Sequence, residues 1–428
     1  MPEITYGRWS PTEVMERVLD GTWVAATEPF FMAYLDSAYN DQLNAVYVDN
    51  AGQLYGVGTE IVTGANDWSA MSIKDLALEF AQNLTFGSLM VAAGITGDNT
   101  DVYVSGYEAT GSANECLVVK YNSAGAVQWQ RGYGIVSTNC RFNKITRMAN
   151  GNLAVAGTDV SNSRRLLVTL QTNGTAVAAM RDSNSSGYGV VSDSSSNLYV
   201  VGDVVNKADI CKYTSGLSVV AGYQIDATVS RFEDIATDGT DFYPVGTWNG
   251  SGSGYDAIIY SFDDALNVNW SRRLYSANTE NFYSCAVDSQ GNIYAVGRHY
   301  TPTVVGLLAK YDSTGALQWQ RTIAASAGTL LLRGVYIDSN DNVNVVGVTA
   351  TTGSNNCQFV ACLPNDGSQT GAYVVGTETF TYAASTLTDA AISPASTTNT
   401  QPTSAAPNQG TPTFTETAAT TTLELETL

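Results

Sequence analysis

Basic and imidazole side chains are scarce in this chain. Its 428 residues carry 20 lysines and arginines against 40 aspartates and glutamates, with one histidine, for a formal charge of −20. A nucleic-acid partner demands a basic surface that displaces counterions, so no nucleic-acid partner is expected. Zinc sites and histidine-dependent triads set an imidazole beside a second group, and His299 is the lone candidate. No apolar run approaches the ~20 residues of a membrane-spanning helix. The opening MPEITYGRWSPTEVMERVLD lacks a basic stretch followed by an apolar one, so synthesis in the cytoplasm without a secretory signal is expected.

Cysteine is also sparse, at six residues. Cys116 and Cys357 occupy equivalent positions in two non-adjacent repeats, and Cys285 takes a slot that holds Val335 one repeat later. Cysteines that replace aliphatics on strands behave as small buried hydrophobes, so free thiols are expected, with a Cys116–Cys140 bridge as the alternative.

What the chain does contain is a pattern repeated seven times. A turn-rich polar stretch leads into an aromatic or aliphatic residue, small apolar residues and a glycine, as in DNAGQLYGVG, MANGNLAVAG and DSQGNIYAVG. The glycines are Gly58, Gly106, Gly157, Gly202, Gly246, Gly297 and Gly347, spaced 44 to 51 residues apart. Several strands per repeat at this period define a β-propeller blade. After each glycine comes a polar loop and a second hairpin, such as CLVVKYNSAGAVQWQR (116–131) or GLLAKYDSTGALQWQR (306–321). Two hairpins per unit make one four-stranded antiparallel blade. The expected fold is therefore an all-β, seven-bladed propeller over residues 30–382, with PFFMAYLD (29–36) completing an end blade to close the ring.

Three segments break the rhythm. Residues 1–29 contain a capping box, Ser10 and Glu13 around Pro11, which predicts a short helix over 10–19. In the first unit the second hairpin is replaced by SIKDLALEFAQNL (72–84), where Ile73, Leu76, Ala77, Phe80, Ala81 and Leu84 fall at helical spacing. An inserted amphipathic helix is expected there, covering the blade edge or docking a partner. Residues 383–428 are dominated by Thr, Ala, Ser and Pro, and no Lys or Arg follows Arg333. Such a segment cannot bury enough apolar surface to fold alone and reads as an extended tail, either a spacer or an assembly arm.

Candidate chemistry is thin. Asp288, Asp338 and Asp341 sit in repeating turns, where aspartate caps its own backbone. The turns lack the S-x-D-x-G-x-x-W order of a sialidase Asp box, and DSNDN offers alternate oxygens at Asp338, Asn340 and Asn342 without the Gly and distal Glu of an EF-hand. No catalytic residue, cofactor or metal is expected. Trp129, Trp270 and Trp319 recur as QWQR, NWSR and QWQR. These stretches resemble the docking repeat of quinoprotein-type propellers and the bacterial propeller repeat proteins of the SBBP type, over roughly residues 85–380. The resemblance implies tryptophans that lock adjacent blades, and identifies a blade geometry without an activity. The Thr/Ala/Ser-rich tail resembles the ends of virion structural proteins of marine bacteriophages. That implies a non-enzymatic tail- or capsid-associated protein in a homo-oligomeric assembly, touching other virion proteins through 1–29, 72–84 and 383–428 and a host-surface glycan or protein through its loops. The rival readings are a quinoprotein- or glycosidase-type enzyme and a free glycan-binding adhesin.

Overall fold

The computed structural model describes residues 31–35, 41–62, 65–74, 77–84, 89–110, 113–134, 139–182, 185–225, 229–249, 254–326, 328–350, 356–375, 378–392 and 415–418. Seven innermost strands run Gln42–Val48, Leu89–Gly97, Cys140–Arg147, Ser185–Ser192, Ser230–Thr237, Glu280–Val287 and Leu330–Ile337. Each contacts the next around the ring, and the seventh packs against the first, so the propeller is closed. Blades 1 to 7 follow in that order. Blades 1 to 6 each add three antiparallel strands outward in chain order. Blade 7 takes its outermost strand from the other end of the chain. Phe31–Leu35 pairs antiparallel with Asn356–Leu363, in register from Phe31↔Cys362 to Leu35↔Gln358. Closing the circle with the N-terminal strand removes the edge that a seventh blade would otherwise expose.

The burial pattern follows from this layering. Middle strands are covered on both faces by neighbouring blades and read as near-continuous apolar runs: every residue of Asp256–Phe262 is buried. Outer strands such as Val219–Gln224 are covered less and carry exposed residues. The cores lie between blades; Tyr103, Cys116 and Val118 of blade 2 pack with Phe142, Leu153 and Leu166 of blade 3. All six cysteines are free and buried, and burial pushes the Cys211 and Cys362 thiols up to about 12.

The structure corrects the expected helix over 72–84. Ala65–Lys74 and Ala77–Leu84 are the third and fourth strands of blade 1, paired from Trp68↔Leu84 to Lys74↔Ala77. Leu78, Phe80 and Leu84 also fit a period of two, and a helix this short is marginal alone. A third strand with an unpaired edge decides the contest, because pairing along Ala65–Lys74 satisfies the backbone groups on the shared side of both strands and completes the blade.

The composition change at 383 does not mark the end of ordered strand. Gly371–Val375 and Glu378–Ala384 form a hairpin whose second strand pairs with Leu317–Ala325, the outer strand of blade 6. Thr388–Ala391 then pairs with Val268–Tyr275, the outer strand of blade 5. Thr415–Ala418 pairs with Val127–Gly134 of blade 2. The described strands of the expected tail, to Ala391 and over Thr415–Ala418, cover edges of the chain's own ring. The helix expected over 10–19, and all of residues 1–29, lie outside the described residues.

Candidate functional site

The seven repeat glycines face one recurring irregularity. In every inner strand the pairing slips by one residue directly after the partner of the glycine, leaving an extra residue: Asn44, Ala93, Asn143, Tyr188, Glu233, Tyr283 or Arg333. This is a β-bulge, which re-aims a side chain and bends the strand. The bulged strand leans a carbonyl over the glycine, so a Cβ at Gly58, Gly106, Gly157, Gly202, Gly246, Gly297 or Gly347 would lie within 2.1 Å of a carbonyl oxygen.

The extra residues serve two purposes. Asn44 Nδ2 donates to the Ala92 carbonyl at 2.8 Å and Asn143 Nδ2 to the Gly187 carbonyl at 2.6 Å, each tying one inner strand to the next. In blades 4 to 7 the extra residues are Tyr, Glu, Tyr and Arg, and two of them, Tyr188 and Tyr283, line a cavity. Its volume is about 410 Å³, and its walls include Tyr188, Arg231, Tyr283, Arg298, Asn281 and Asp203. It opens on the ring face that carries the inter-blade loops. Val205, Val229, Tyr255 and Tyr300 on the loops of this face are 71%, 38%, 38% and 50% exposed.

The electrostatics of the cavity are those of paired and unpaired guanidinium groups. Arg231 Nε donates to Glu233 Oε1 at 2.8 Å, and its guanidinium lies 5.0 Å from the Tyr188 ring centroid. Burial pushes the Glu233 carboxyl upward, with Arg231 opposing, and it remains above the usual range. Arg298 Nε donates to the amide oxygen of Asn281 at 2.7 Å and stands 5.9 Å from the Tyr283 ring. Burial draws Arg333 below its ordinary value; Arg298 adds to the fall, while Tyr283 and Glu233 oppose it. Arg333 Nε is buried and makes no hydrogen bond. Burial likewise raises the phenols of Tyr188 and Tyr283.

One residue further along the same strands, a polar cluster ties the blades together. Asp234 Oδ2 accepts from Lys144 Nζ and Ser284 Oγ, both at 2.8 Å, and from the Cys285 amide at 3.3 Å. Lys144 reaches from blade 3 to blade 5 past Gly189, where a Cβ would lie 2.9 Å from the Asp234 Cα.

The tryptophans sit elsewhere, at the blade junctions. Trp129, Trp270 and Trp319 donate their indole N–H to the carbonyls of Thr172, Ser313 and Asn365 in the next blade, at 3.1, 2.8 and 3.1 Å. Each ring lies against a turn glycine of that blade, Gly174, Gly315 or Gly367. Other junctions use charge. At the junction of blades 4 and 5, Lys212 Nζ donates to Asp264 Oδ1 at 2.6 Å. Between blades 3 and 4, Arg165 Nη2 meets both oxygens of Asp209 at 2.6 Å, with both side chains essentially inaccessible. Breaking such a buried pair costs about 3–5 kcal/mol.

The turn aspartates are occupied by their own backbone. Asp288 Oδ1 accepts from the amides of Gln290 and Asn292, and Oδ2 from Asn292 Nδ2 and the Tyr294 hydroxyl. Asp338 accepts from the amides of Asn340 and Asn342 and from Asn342 Nδ2, and Asp341 accepts from Ser289. These oxygens are caps. His299 lies near the end of a strand: its Nδ1 lies 2.8 Å from buried Glu280 Oε1, with its side chain 12% exposed. Sequence reasoning missed the bulge residues and their arginine neighbours. The signal available was a fixed offset, 13 or 14 residues before each repeat glycine.

No protein-family model matches the chain, and no curated protein does either. Among solved structures, hydrazine synthase of Kuenenia stuttgartiensis superposes with a TM-score of 0.51 at 12% identity, over 79% of this chain and 98% of that one. Sqt1 of Chaetomium thermophilum gives 0.47 at 11% identity, over 79% and 98%. At such identity the likeness is one of fold: the chain is a seven-bladed β-propeller.

Proposed function

We propose that this chain is a non-enzymatic structural protein of a bacteriophage virion, tail- or capsid-associated, whose propeller is a rigid docking and host-surface-binding platform. The observation that carries the reading is the difference between the two faces of the ring. On the turn face the repeated aspartates are consumed by capping. The loop face carries a cavity walled by Tyr, Arg and Asn, with exposed Val205, Tyr255 and Tyr300 on its loops, a composition suited to adaptable recognition. The compositional likeness of residues 383–428 to phage virion proteins supports the setting, within a homo-oligomeric assembly with other virion proteins.

A glycosidase-type enzyme is the second reading, favoured by the raised Glu233 carboxyl within electrostatic reach of Asp203. Glu233 is engaged by Arg231, and the acid among the cavity-lining residues is Asp203 alone, whereas hydrolysis needs two free carboxyl groups flanking the sugar. Mass spectrometry of purified virions tests the proposal. Detection at a stoichiometric level supports it, and absence of the chain from particles defeats it.

A further inference from the structure

We propose that the loop-face cavity binds a carboxylated sugar residue, its carboxylate received by Arg298 and its ring laid against tyrosine. The inference rests on the loop face being the recognition face, and it adds the chemistry of the ligand.

Charge carries the first part. The chain has a formal charge of −20, yet two of its 20 basic residues, Arg231 and Arg298, line this one cavity. Arg231 is satisfied by Glu233. Among the described residues Arg298 makes no ion pair; its Nε is held by the Asn281 amide oxygen. Arg298 lines the cavity, and beyond the bond from its Nε to Asn281 its guanidinium carries further N–H donors with no carboxylate to meet them among the described residues. A planar carboxylate meets that need, because guanidinium presents a fork of donors that matches it.

The remaining walls select a sugar. Tyr188, Tyr283 and Tyr255 supply ring faces, while Ser186, Asn206 and Asn281 supply hydroxyl and amide groups for sugar hydroxyls. A volume of about 410 Å³ falls in the range of small-molecule pockets. Asp203 accepts hydroxyl hydrogens and repels a second negative charge, which disfavours a polyacidic peptide.

Isothermal titration of the full chain tests this with methyl glucuronide and the methyl glycoside of N-acetylneuraminic acid. Methyl glucoside, sulfate and a glutamate-rich hexapeptide are the comparisons. The expected result is that at least one carboxylated sugar binds tenfold or more tighter than every comparison, and that Arg298→Ala removes at least tenfold of that affinity. Equal binding of the glucoside, tighter binding of sulfate or peptide, an unchanged Arg298→Ala protein, or no binding of either acidic sugar overturns the proposal. Melting curves report whether Arg298→Ala folds. If it does not, Tyr255→Ala on the exposed rim replaces it, with a threefold or greater loss expected and an unchanged affinity counting against the site. Failure here leaves the virion assignment standing, and absence from virions leaves the sugar site standing.

Discussion

A Cβ placed on Gly297 would sit 1.9 Å from the carbonyl oxygen of Asn281, well inside van der Waals contact with backbone that cannot swing aside. The bulge at Tyr283 creates this approach. Gly297→Ala is therefore expected to cost about 3 kcal/mol or more, since backbone overpacking has no flexible side chain to absorb it. Gly239→Ala is the control. Its φ of +93° strains an alanine, but nothing lies within 4 Å, so about 1–2 kcal/mol is expected. Urea titration of both variants checks the order, and an equal loss would show that the bulged strand yields enough to admit a methyl group.

Trp270 tests how blades are locked. Its indole lies over Gly315 and donates to the Ser313 carbonyl. Trp270→Phe keeps most of the packing and loses the hydrogen bond, an expected cost of about 1 kcal/mol. Trp270→Ala loses both, for about 3 kcal/mol. Equal losses in denaturant titrations would place the value of the clip in the hydrogen bond.

Much of the ring was legible because each blade must solve the same steric problem. The bulge forces Gly at one site, the turn forces Asp and Gly at another, and Trp129, Trp270 and Trp319 recur wherever an indole closes a junction. The cavity was not legible, because its residues span Ser186 to Arg298 and meet only when the ring closes. The offset of 14 residues before a repeat glycine aligns Tyr188 with Tyr283, yet nothing in it places Arg231 or Arg298 beside them. ALEFAQNL (77–84) fits helical and strand periods alike, and the edge of blade 1 decides between them. Composition placed the tail boundary near 383, whereas hydrogen bonding to blades 6 and 5 carries strand on to Ala391.

Asp288 makes the acid response of the turns measurable. Burial pushes its carboxyl upward, but the donors of Asn292, Tyr294 and Gln290 outweigh this and hold it below the usual range. A carboxylate whose folded value lies below its unfolded value of about 3.9 stabilises the fold above that pH. The contribution is lost as pH falls through the folded value. Asp288→Asn is expected to cost about 1–3 kcal/mol at pH 7, a gap that stays flat to about pH 5 and closes below about 4. Urea titrations across that range measure it. A gap independent of pH would attribute the loss to shape.

The C-terminal strap defines where folding ends and assembly contacts can begin. Phe380 and Tyr382 are fully buried within the strand on blade 6, and the Leu387 carbonyl accepts from Gln320 Nε2 at 2.7 Å. On blade 5, Tyr311 donates to Asp389 Oδ1 at 3.2 Å and Ser271 Oγ to the Ile392 carbonyl at 2.9 Å. A chain ending at Thr377 loses two buried aromatics and uncovers two outer strand edges. It is expected to lose about 3 kcal/mol or more and to associate in light scattering. A chain ending at Ile392 keeps every one of these contacts and, among the described residues, gives up the four-residue pairing of Thr415–Ala418 with blade 2, so it is expected to unfold within about 1 kcal/mol of the full chain. That makes it the informative variant for assembly, where a cut at 383 would damage the ring as well. On the proposed reading, the chain ending at Ile392 folds normally and no longer enters virions. Normal incorporation would move the docking contacts onto the ring and leave residues 393–428 without a part in assembly.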